Sequence, residues 1–124
     1  MQLRLGTVCL ATVLFSACGQ SSLERNLFGS WDSGCSIDIC TITTLKADHT
    51  FSERFDEKGY SDSYTGTWRV EDHQLVLHIL WAADGLQNIA GKDLRLVISQ
   101  FHRDTFVATL AEDATKALHW KRRH

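Results

Sequence analysis

Few residues of this chain carry the means to do chemistry, and the most informative of them is Glu53. It lies between Phe51 and Phe55 at alternate positions, so in an extended strand the three side chains share one face. A carboxylate buried on such a face needs a hydrogen-bond partner or a raised pKa. It would then receive the polar group of a ligand or pair with an internal Arg or His, whereas at a wet opening it would stay an ordinary exposed acid. Tyr64, Trp68 and Trp81 are the aromatic residues that would wall a pocket around it, and the same spacing also suits plain core packing. His78 and His119 fall in the middle of strand-like runs. A metal centre needs three or four ligands in defined geometry and no others stand at ligand spacing, so neither a metal nor another cofactor is expected. The sequence has no nucleophile elbow, zinc-type His-Glu pair, phosphate-cradling glycine loop or paired-carboxylate signature. No catalytic residue is assigned, and the expectation is a non-enzyme.

Of the four cysteines, Cys35 and Cys40 are a natural disulfide pair in an oxidising compartment. The bridge would close a short loop and contribute about 2 kcal/mol on the chain-entropy estimate. Two thiolates can also bind a metal, but no His or further Cys lies at ligand spacing nearby. The other two cysteines belong to the N-terminus. There Arg4 precedes an apolar run over 5–15 and the small residues Ser16, Ala17, Cys18 and Gly19, the layout of a secretory signal. The run is too short for a permanent transmembrane helix, which takes about 20 residues.

The stretch Phe15-Ser16-Ala17-Cys18 resembles a bacterial lipobox, with Phe15 where that pattern prefers Leu. The resemblance implies that residues 1–17 are removed and that Cys18 bears lipid as the first residue of the mature protein. Several acyl chains make such an attachment effectively permanent. Gly19, standing where Asp would retain a sorted lipoprotein at the inner membrane, implies an outer-membrane anchor facing the periplasm. Residues 18–26 then serve as the lipidated N-terminus and a short tether, and 27–124 form one domain with one core. The chain carries a net charge of −2, which gives no electrostatic footprint for nucleic acid. Its one basic cluster, Lys121-Arg122-Arg123, suits a solvated strand end or contact with anionic head groups.

The elements that would position these residues are strands. Short runs rich in β-branched and aromatic residues alternate with polar breaks, the rhythm of an all-β meander. Eight strands are expected, over 28–32, 39–47, 50–56, 63–70, 74–82, 93–101, 105–111 and 117–122. Alternation places Phe51 and Phe55 on the interior face, with Tyr64, Trp68 and Val70, Leu94, Leu96 and Ile98, Phe106, Ala108 and Leu110, and Leu118 and Trp120. Such a meander avoids two open edges by closing on itself as a compact antiparallel up-and-down barrel, whose interior is filled by side chains or holds one small ligand. Residues 22–27 are expected to form a short helical turn plugging one end. Residues 83–92 form the longest connection, a lid or an ordinary loop.

On these residues the domain resembles the small bacterial lipocalin-like lipoproteins. Gly29-Ser30-Trp31 is similar to the Gly-x-Trp signature of lipocalins, and Leu45 to Phe51 followed by Gly66-Thr67-Trp68 and Leu75-Val76-Leu77 continues the likeness over most of the mature chain. The resemblance implies that a basic residue of the last strand, Arg122 or else Arg123, packs on Trp31 and closes the barrel base, a cation–π contact of about 0.5 to 2 kcal/mol. The expected function is a binding protein holding a small hydrophobic or amphipathic molecule, or lipid. Its interior candidates are Phe51, Glu53, Phe55, Tyr64, Trp68 and Trp81. The alternative is a protein-interaction module, a periplasmic inhibitor or envelope-stress sensor. That reading is motivated by apolar residues on both faces of 75–80 and 94–98.

Overall fold

The computed structural model describes residues 17–35, 40–55 and 62–124. Residues 1–16 of the expected 1–17 signal and the strand ends expected at 39 and 56 lie outside them. A helix, α1 (Ala17–Leu27), leads into eight strands: β1 (Gly29–Cys35), β2 (Cys40–Leu45), β3 (Thr50–Phe55), β4 (Asp62–Glu71), β5 (Gln74–Ala82), β6 (Asp93–His102), β7 (Thr105–Leu110) and β8 (Asp113–Arg122). Each strand pairs antiparallel with the next, and β8 returns to β1, giving a closed barrel in simple meander order. Pairing each strand on both sides blunts the edges that would otherwise invite another chain.

Tight links set the order. Between β4 and β5 the chain reverses over Asp72 and His73, whose φ values of 48° and 64° are both positive, the two-residue hairpin geometry that follows the twist of the strands. His49, with φ 69°, takes the left-handed position before β3, and Asp48 Oδ1 accepts hydrogen bonds from the amide and hydroxyl of Thr50. The expected register is interrupted where strands bend. β1 runs on to Cys35 through an irregularity between Asp32 and Gly34, carried by continued pairing with β2 up to Cys35 opposite Cys40. β8 starts at Asp113, opposite Leu110, ahead of the first apolar residue that marked it in the sequence.

One irregularity overturns an expectation about the interior. Simple alternation carries Leu75, Leu77 and Ile79 on to Trp81, yet opposite β4 the pairing jumps from Gly66–Ile79 to Thr65–Trp81. Leu80 is the extra residue of a bulge, which moves everything after it to the other face. Ala82 points inward, while Leu80 and Trp81 are 61% and 51% exposed on the outside. Gly66 permits the bulge, since a Cβ there would overlap the His78 carbonyl.

The two ends of the barrel differ. The links at 46–49, 72–73 and 103–104 lie at the same end as α1, which packs Leu23 and Leu27 into the core with Trp31, Trp68 and Phe106. Trp31 Nε1 donates to the Leu27 carbonyl at 2.9 Å, and its ring meets Phe101 and Phe106 edge-on. Arg122 locks this end: its guanidinium carbon lies 4.2 Å from the Trp31 ring centroid. It donates to the carbonyls of Phe28 and Asn26 and to Asp104. A Cβ at Gly29, where φ is +125°, would come within 2.9 Å of Arg122 Nη1 and push the guanidinium aside. The β1–β8 seam pairs here, at Trp31–Arg122 and Asp32–Lys121.

Candidate functional site

Toward the opposite end the core gives way to a cavity of about 740 Å³ inside the barrel. Its two walls have different chemistry. On β1 to β4, Ser33, Thr43, Glu53 and Tyr64 stand side by side, Thr43 paired with Glu53 and Glu53 with Tyr64 across the strands. Ser33 Oγ lies 2.7 Å from Thr43 Oγ1, and Thr43 Oγ1 donates to Glu53 Oε1 at 3.0 Å. The Tyr64 hydroxyl donates to the same carboxylate. On β5 to β8 the wall is apolar, built from Leu77, Leu94, Leu96, Leu110, Leu118 and Trp120. Phe55 and Leu118, 39% and 46% exposed, line the cavity and also meet solvent, so it reaches the surface beside them.

The polar row is held in a low-dielectric setting. Burial pushes the Glu53 carboxyl above the usual range, against the lowering effect of the Tyr64 and Thr43 hydrogen bonds. Burial, reinforced by the charge of Glu53 beside it, pushes the Tyr64 hydroxyl far up, which keeps it a neutral donor. No lysine, arginine or histidine is among the described residues that line the cavity. Trp120 Nε1 is buried without a hydrogen-bond partner among the described residues.

No protein-family model matches the chain, and no curated protein is found to be similar to it. The site therefore rests on its own geometry.

Of the interior candidates read from the sequence, Glu53, Phe55 and Tyr64 line the cavity. Phe51 and Trp68 face inward but belong to the packed core nearer α1, where Trp68 Nε1 donates to the Lys46 carbonyl and the ring packs on Phe28 and His49. Trp81 is outside, by the bulge described above. Cys35 and Cys40 are joined as a disulfide, and Cys35 lies on the cavity rim. Asp32 sits close to both sulfurs, which are bonded to each other and so hold no thiolate for a metal. Gly29, Trp31 and Arg122 stand together at the α1 end, and Cys18 lies in the first turn of α1.

The two histidines do not meet inside the barrel: His78 Nδ1 donates to Asp93 Oδ1 at 2.7 Å, and His119 is exposed opposite Val107 on the outer face. Within the 83–92 connection Leu86 and Ile89 pack against the core without lining the cavity. Sequence reasoning missed Ser33 and Thr43. The signal was there in the alternation of β2, where Thr41 and Thr43 share the inward face with Leu45, polar residues where plain core would place aliphatic ones.

Proposed function

We propose that this barrel is a non-catalytic binding protein for a small amphipathic molecule, tethered to the bacterial outer membrane through lipid on Cys18 and facing the periplasm. The observation that carries the reading is the cavity itself. Its volume of about 740 Å³ falls within the range of roughly 300–1,000 Å³ typical of ligand sites, and such sites are mostly apolar with a few convergent polar groups. Here those groups are Glu53 and Tyr64, with Ser33 and Thr41 beside them, facing a wall of leucines. The lipocalin-like reading of Gly29, Trp31 and Arg122 is consistent with a base built for closure, leaving recognition to the other end.

The test is a fluorescence titration with N-phenyl-1-naphthylamine, which brightens in apolar surroundings. The wild-type protein is expected to take it up saturably, and Leu110→Trp, which fills the cavity, to lose that uptake while keeping its circular dichroism spectrum. Absence of saturable uptake by the folded wild type would refute the reading. Anchoring is tested separately: metabolic labelling with an alkyne fatty acid should tag the wild type and not Cys18→Ser.

A second reading, a protein-interaction module, draws on the exposure of Leu80 and of its neighbour Trp81, which the bulge turns outward beside it. Val76, outward on the same strand, is unavailable to a partner. It lies between Arg69 and Arg95, whose guanidiniums both bond Glu71 and whose stems cover it. This reading expects a stoichiometric protein partner in envelope extracts that Trp81→Ser no longer retains.

A further inference from the structure

We infer that the molecule held in this cavity carries a protonated amine head on an apolar body. The inference rests on the reading of the cavity as a binding site and deepens it to a ligand class. Among the described residues that line the space Glu53 is the one acid, and none is a cation. It accepts hydrogen bonds from the neutral hydroxyls of Thr43 and Tyr64, so its negative charge meets no counter-charge among the described lining residues.

A carboxylate offers about four lone-pair positions, and the two hydroxyls occupy two. Those left over can accept N–H groups from a ligand, and a charge-assisted bond formed away from water is stronger than a neutral one. An ammonium at that point also favours the ionised carboxylate, opposing the effect of burial on Glu53.

The same geometry disfavours the opposite head group. A fatty-acid anion entering head-first would meet Glu53 as a like charge in an apolar space where repulsion is poorly screened. Entering tail-first, it would leave the polar row on β1–β4 facing methylene groups. An amine with an alkyl or aryl body satisfies both walls together, its head on Glu53 and its body against Leu77, Leu96 and Leu110 on the facing wall.

Competition against N-phenyl-1-naphthylamine with decylamine, decanol and decanoate, each below its micelle concentration at neutral pH, separates the possibilities. The wild type should rank them in that order, with decylamine displacing the probe at about tenfold lower concentration than decanol. Glu53→Gln should take up the probe as before and lose the preference for decylamine, and Tyr64→Phe, which keeps the carboxylate, should retain it. Decanoate displacing as well as decylamine from the wild type would overturn the inference, as would an amine preference that survives in a folded Glu53→Gln. Should that variant not fold, the wild-type ranking decides alone. If the probe binds and the three competitors are equal, the amine inference fails and the cavity reading stands. If neither probe nor competitor binds, both fall.

Discussion

At the α1 end of the barrel Arg122 spends its donors on Phe28, Asn26 and Asp104 and lays its charge over Trp31. At the other end Glu53 sits beside leucines and accepts from the hydroxyls of Thr43 and Tyr64. The first end contains a charge whose partners all lie within the fold; the second contains a charge that meets no cation among the described residues lining the cavity. The same closed sheet supports both, because each residue facing inward is fixed by strand register whether or not its chemistry suits a core. The contrast separates the part of the interior that holds the fold together from the part open to recognition.

The largest effect is expected at the packed end. Trp31→Ala removes a fully buried indole together with its edge contacts and its bond to Leu27, and should cost about 3–5 kcal/mol in urea unfolding. Leu118→Ala at the cavity rim should cost about 1 kcal/mol or less, since half-exposed positions give up little on truncation. Equal costs at the two sites would erase the distinction between the ends.

Gly29→Ala comes next, at about 1–3 kcal/mol, from backbone strain at positive φ and from crowding of Arg122. If that crowding is the cause, Gly29→Ala combined with Arg122→Met should cost less than the sum of the two single variants in the same unfolding experiment.

The two ends should also respond to pH in opposite senses. Burial raises the Glu53 carboxyl in the fold, so the native state binds its proton more tightly than the unfolded chain does. Its contribution to stability is present in acid and lost as pH rises through the folded value. Glu53→Gln should therefore gain melting temperature over the wild type at neutral pH, and the gain should vanish in acid. Asp104 is held below the usual carboxylate range, first by its hydrogen bond from Arg122, so its contribution is present at neutral pH and lost as pH falls through that lowered value. Asp104→Asn should flatten the acid side of the melting profile and leave the neutral effect of Glu53→Gln unchanged.

The smallest effect belongs to the β4–β5 link at the α1 end, away from the cavity. Replacing Asp72-His73 with Asn-Gly puts the pair this turn favours where two other residues now take positive φ and should raise stability by about 0.5–1 kcal/mol, read as a higher melting temperature with probe uptake unchanged.

Much of the barrel was legible because a strand's period of two survives in single residues. Phe51, Glu53 and Phe55 do share the inner face, Tyr64 joins them, and eight runs close in the order in which they occur. Bulges were not legible, since one inserted residue reverses a strand without leaving a distinctive residue at the point of reversal. Leu80 is such a residue, and it carried Trp81 to the outside; Gly66, which makes room for it, lies on the neighbouring strand. The polar row was half legible. Glu53 stood out because an acid between phenylalanines is conspicuous, whereas Ser33 and Thr43 look like ordinary strand residues until the register places them beside it. The start of β8 escaped because Asp113, Thr115 and Lys116 are polar and Ala114 between them is exposed, so no apolar face alternates there to mark a strand.

Calorimetric titration of 1-octanol into the folded protein at several temperatures tests most directly whether this interior receives a ligand. The account predicts saturable binding at one site, with a negative heat-capacity change from apolar burial, abolished by Leu110→Trp. A folded wild-type protein giving no saturable heat at any temperature, or binding that Leu110→Trp leaves untouched, would contradict it.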